Sequence, residues 1–156
     1  MVVKLFEITR IIAVGLGFFL AYFYGGSAEE IIHFLLPWLI IPIMGFSAVE
    51  GLFFGKESAR AKGYGANSAY QIQTALFFLS ITFMSIWLYF ANWGVWSEIT
   101  LLFTFLLSLL LSAINHTYQA IAHGNYTWNN LIRPIGVIAL IASVYYPMGR
   151  IRLFHV

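Results

Sequence analysis

The chain has 156 residues, room for one domain, and carries a net charge of only +2. Asp, Glu, Lys and Arg make up 9% of it, where a soluble domain has about 25%, and 61% of the residues are hydrophobic. A soluble fold of this size cannot hide so much apolar surface, and intrinsic disorder is excluded by the same figures. The composition is that of an integral membrane protein, with a single transmembrane domain over 1–156 as the expectation.

A bilayer core of about 30 Å needs roughly 20 apolar residues in a helix, and apolar stretches separated by charges mark five spans. They are expected at about residues 8–25, 30–54, 68–91, 97–122 and 131–148. Lys4, Glu7 and Arg10 precede the uncharged stretch of the first, which begins at Ile11, and Gly25-Gly26-Ser27 ends it. Lys4 and Arg10 before an apolar run, with Gly26-Ser27-Ala28 after it, also fit a signal peptide; a retained first helix is the expectation. The second span holds Pro37 and Pro42, which predict a kink, and Glu50 near its end. Asn92-Trp93-Gly94 turns the third span into the fourth. The fifth is the shortest, between Arg133 and Arg150, and a shallow first helix leaves four spans as the alternative.

Alternating polarity of the kind a membrane barrel requires is absent, so the fold class is an all-α integral membrane helical bundle. With the N-terminus inside, Lys4, Arg10, Lys56, Arg60, Lys62 and Arg133 fall on the cytoplasmic side and Arg150 and Arg152 outside. The expected location is a prokaryotic cytoplasmic membrane, multi-pass, with the N-terminus inside.

Small residues at four-residue spacing predict close helix approach. They are Ala13, Gly17, Ala21 and Gly25 on the first span and Ser47, Gly51 and Gly55 on the second. The fourth carries Thr100, Thr104, Ser108 and Ser112, a row that reads as a packing groove or as a polar track leading to His116.

Drawn in this topology, polar residues of four helices meet at one depth. Glu50 ends the second helix, Tyr70, Gln71 and Gln73 begin the third, Asn115, His116, Gln119 and His123 end the fourth, and Arg133 opens the fifth. His116, Gln119 and His123 share a face at i, i+3, i+7. Such groups are costly in a membrane unless they face protein, water or a ligand. Three readings follow: an interhelical hydrogen-bonded knot, with Glu50 paired to Arg133 or His116; a small-molecule, ion or proton site of Glu50, Tyr70, Gln71, Gln73, His116, Gln119 and Arg133; and a metal site of Glu50, His116 and His123. His33 belongs to the opposite interface.

Nucleophile elbows, phosphate loops and dinucleotide fingerprints are missing, and there is no Asp in the chain. The absence of cysteine excludes disulfides, thiolate metal sites and covalently held haem. Nucleic acid is not an expected partner, since no basic run with interleaved aromatics lies outside the apolar helices.

The stretch from Phe53 to Gln73, with Gly63, Tyr64, Ser68, Tyr70 and Gln71, resembles an uncharacterised family of small multi-span prokaryotic membrane proteins. His116, Gly124-Asn125 and Pro134 form the second matching block. Gln73 stands where that family has an acidic residue, and Glu50-Gly51 where it has a His. The family is remotely similar to the DoxX-like group of four-helix proteins, some of them associated with quinone-linked oxidoreductases.

The first functional expectation is a non-catalytic accessory or structural subunit of a membrane complex or homo-oligomer, whose partners are membrane lipids and other subunits or itself. The second is a binding or transport protein using the polar cluster. The third is a redox subunit contacting quinone or haem through His116 or His123. No cofactor is implied by the residues themselves; haem, quinone or a metal ion enters only with these alternatives.

Overall fold

The charged residues ahead of the first apolar run do not stand outside the helix. Lys, Glu and Arg are good helix formers, and in the computed structural model, which describes residues 2–61, 63, 65 and 68–151, α1 runs continuously over Val2–Tyr24. Lys4, Glu7 and Arg10 therefore sit within its first three turns. (Lys62, Tyr64, Arg152 and His155 lie outside the described residues.) The helix stops at Gly25-Gly26, and Ser27 caps α2 (Ala28–Ile40) by accepting from the Glu30 N–H, while Glu30 reaches back to the Gly26 N–H at 2.8 Å. This reciprocal pairing satisfies two otherwise orphaned donors.

The second span widens at Pro42, while Pro37 sits inside the continuous helix α2. Pro42 has no N–H to give and crowds the carbonyl four residues back. The chain widens into a π-helical turn over Ile41–Gly45, in which the Phe46 N–H bonds the Ile41 carbonyl five residues earlier. The helix resumes as α3 (Phe46–Ala61), broken again at Phe54, whose φ of −126° and ψ of 22° are not helical. α4 covers Ser68–Ala91, α5 Val95–His123 and α6 Trp128–Arg150. The α4–α5 turn uses Asn92 and Gly94 at φ 48° and 94°. Gly124 ends α5 in the left-handed conformation, its N–H returning to the Gln119 carbonyl. Five helices, counting Ala28–Ala61 as one, are long and apolar enough to cross a membrane. The protein is an all-α membrane bundle.

α2 is the central post. Ile32, Leu35, Leu36, Leu39 and Ile40 are fully buried, together with Leu88 of α4, Leu102 and Phe105 of α5 and Val144 of α6. Around this post α1, α4, α5 and α6 all pack. The small-residue rows do what their spacing predicts on the first two spans. A Cβ added at Gly17 would lie 2.5 Å from Trp38 Cβ, and one at Gly51 would lie 2.8 Å from Ala75 Cβ. Helices can approach this closely only where a side chain is missing.

At the other end of the bundle the post is gone, because α2 has given way to α3. Here α3 packs on α4 and α1, and α5 packs on α6, but among the described residues neither α1 nor α3 brings its backbone against α5 or α6. Among the described residues α1 meets α6 at the closed end, where Tyr22 donates to the Ser143 carbonyl at 3.4 Å. The bundle is therefore shut at one end and parted at the other.

Candidate functional site

Glu50 is 1% exposed, and its expected pairing with Arg133 or His116 does not form the ion pair seen here. Its partner is Arg10 of α1, whose Nη2 donates to Glu50 Oε2 at 2.6 Å, while the Ser58 hydroxyl donates to the other carboxylate oxygen. An unbroken helix would set Ser58 about 80° round from Glu50; the break at Phe54 lies between them. The reason for the correction is the extension of α1: with the helix starting at Val2, Arg10 enters the bundle instead of marking its edge.

His116, 5% exposed, has both ring nitrogens engaged. Arg133 Nη1 lies 3.1 Å from Nε2, and a guanidinium can only donate, so Nε2 accepts. Nδ1 then carries the proton and donates to Asn130 Oδ1 at 2.7 Å. Asn130 Nδ2 passes the chain on to the Asn125 carbonyl at 2.8 Å, and Asn125 Nδ2 bonds the Gly63 carbonyl at 3.2 Å. These bonds thus link α6 and α5 to the α5–α6 connection and, through Asn125, to the α3–α4 connection. Gly63 accommodates it at φ 72°, where an added Cβ would meet Asn125 Oδ1 at 2.7 Å.

Between these two networks lies a cleft of about 1150 Å³. Glu7, Arg10, Tyr70, Gln71 and Ser58 line it on the side of α1, α3 and α4; His116, Gln119, Asn115 and Arg133 line it on the side of α5 and α6. Toward the closed end its walls turn apolar, with Val14, Phe78, Leu109, Val137 and Leu140. Ser108 and Ser112 line it as well, whereas Thr100 and Thr104 are exposed and bond their own helix at 2.8 and 2.9 Å. The row on α5 is a polar track for its last turns only. Gly15 and Gly136 are exposed on the two lips of the gap between α1 and α6.

Of the residues expected at a ligand site, Tyr70, Gln71, His116, Gln119 and Arg133 come together around the cleft. Glu50 stands behind it and holds Arg10 in place. Gln73 is exposed and outside it: two residues from Gln71 it points about 200° away. The metal grouping of Glu50, His116 and His123 is not assembled. His123 lies about 10 Å farther along α5 than His116, is exposed, and packs edge-on against Tyr118. Among the described residues no three His, Cys, Asp or Glu side chains gather as a metal site. His33 lies at the closed end as expected, stacked on Tyr89 at 4.5 Å with Nδ1 2.5 Å from the buried Glu98 carboxylate.

Sequence reasoning missed Glu7, Arg10, Ser58 and Asn130. The signal for the first two was their i, i+3 spacing in register with the apolar face that follows. Glu7 Oε1 and Arg10 Nε are both buried and have no hydrogen-bond partner among the described residues. Compared with known proteins, residues 4–148 match the model of DUF6790, a family of unknown function. No curated protein and no solved structure matches the chain.

Proposed function

The chain belongs to the DUF6790 family, and we propose that it is a binding protein that takes a small amphiphilic molecule from the bilayer into the cleft between α1, α3 and α4 on one side and α5 and α6 on the other. The observation that carries this reading is the cleft itself, which joins a polar floor to apolar walls inside a helical membrane bundle. At about 1150 Å³ it lies at or above the range of roughly 300–1,000 Å³ typical of small-molecule sites. Polar groups at membrane depth are retained where they meet water or a ligand.

The arrangement divides the work. The Glu50–Arg10 pair and the Arg133–His116–Asn130 line fix polar side chains from both walls, so a head group meets a floor already ordered. Preorganisation of this kind limits the entropy lost on binding. The lips at Gly15 and Gly136 carry no side chain, which leaves a lateral path for a chain entering from lipid. With Lys4, Arg10, Lys56, Arg60 and Arg133 on that side, we assign the open end to the cytoplasmic leaflet.

A photoactivatable acyl lipid incorporated with the purified protein tests the reading. Cross-links mapped by peptide mass spectrometry are expected on cleft residues, to be displaced by excess unlabelled lipid, and to vanish in Gly136→Phe. An added Cβ at Gly136, which lines the cleft, meets no atom within 4 Å, so a bulky side chain can be placed at the mouth without its Cβ crowding the fold. Labels spread evenly over the outer helix faces, indifferent to competitor and to Gly136→Phe, would contradict it.

A further inference from the structure

Resting on that reading, the unsatisfied atoms of the floor say what kind of head group it takes. Glu7 and Arg10 lie one turn apart on the same face of α1 and both line the cleft. Glu7 Oε1 is an acceptor and Arg10 Nε a donor; both are buried and neither has a partner among the described residues. Arg10 has committed Nη2 to Glu50, and its Nε–H and Nη1 hydrogens are the donors it still offers. A head group in the cleft must therefore offer a hydrogen-bond donor to the Glu7 carboxylate and an acceptor to the Arg10 guanidinium.

Charge narrows the class. Arg10 and Arg133 line the cleft with Glu7, and Glu50 lies directly behind Arg10. Among the described residues that line or back the cleft two cations and two anions balance, which favours an amphiphile with no net charge. The geometry points to a net-neutral, zwitterionic head whose ammonium N–H donates to Glu7 and whose phosphate oxygen accepts from Arg10 Nε and faces Arg133: a phospholipid with a primary amine. The apolar walls of Val14, Leu109 and Val137 take its acyl chain.

Competition against the same photoactivatable lipid separates the candidates. Unlabelled phosphatidylethanolamine and phosphatidylcholine carry the same net charge, but only the first has N–H groups to give Glu7. Hydrogen bonds to a charged group predict that the ethanolamine lipid competes about tenfold or more better than the choline lipid. Phosphatidylglycerol is expected to compete less well than the ethanolamine lipid. Soluble phosphoethanolamine, lacking chains, is expected not to compete; equal competition by it would overturn a lipid as the source. Glu7→Ala removes no existing hydrogen bond of Oε1, and is expected to abolish the preference while choline-lipid binding persists, which also reports that the variant is folded. Equal competition by the two zwitterionic lipids in the wild type, or a preference surviving in Glu7→Ala, would overturn the head-group assignment alone. The absence of displaceable labelling by any lipid would instead overturn the binding reading beneath it.

Discussion

Replacing Arg10 by Met leaves a carboxylate at 1% exposure facing a hydrocarbon side chain where it now meets a guanidinium at 2.6 Å. Removing one partner of a buried ion pair costs about 3–5 kcal/mol, chiefly because the remaining charge has no compensation. Here the lower end applies, since the Ser58 hydroxyl still donates to Glu50 and Arg10 is itself partly solvated, its side chain 13% exposed. At about 3 kcal/mol, and about 2–4 °C per kcal/mol for a domain of this size, the melting temperature falls by about 6–12 °C. The assay is thermal unfolding in a mild detergent, read by the fraction that remains monodisperse. Arg10→Met combined with Glu50→Leu removes both charges and recovers most of the loss, because a buried pair replaced by apolar groups of similar volume is close to neutral. A single variant as stable as the wild type, or a double variant whose loss is the sum of the two single losses, would refute the claim that these residues form the tie between α1 and α3.

Three other perturbations address the rest of the framework. Gly17→Leu drives a side chain into Trp38, whose Cβ lies 2.5 Å from where the new Cβ must go, and overpacking of about 1–3 kcal/mol or more lowers the melting temperature. Asn130→Ala strands the His116 Nδ1–H and frees the Asn125 carbonyl; with Asn130 1% exposed the cost is about 1–3 kcal/mol, measured in the same thermal assay. Gly136→Phe, by contrast, is expected to leave the melting temperature within about 2 °C, a shift matching the ±0.5 kcal/mol of an uncrowded surface site, while removing lipid cross-linking at the cleft.

The spans and the break points were legible because both are local. Hydropathy over some twenty residues marks a membrane helix, and Gly25-Gly26-Ser27, Pro42, Asn92–Gly94 and Gly124 each carry a backbone reason to turn, cap or widen. The clustering of Gln71, His116, Gln119 and Arg133 was legible too, since threading the membrane sets depth. Pairing was not. Arg10 and Arg133 reach the same end of the bundle, and nothing in the spacing tells which of them Glu50 meets; that is decided by how far α1 extends and by the π-helical turn and Phe54 break that aim α3. Gln73 and His123 are different, for helical geometry alone separates them from the cluster: Gln73 by rotation from Gln71, His123 by two turns of rise beyond His116. Azimuth removed Gln73 from the cleft, and depth removed His123.

The central claim is that an amphiphile occupies the parted end of the bundle, and native mass spectrometry of the protein extracted gently from its own membrane tests it most directly. The wild-type chain is expected to carry a single adduct of phospholipid mass that survives activation sufficient to strip detergent, and Gly136→Phe is expected to fly without it. A wild-type spectrum of bare protein, or an adduct retained equally by Gly136→Phe, would contradict the account.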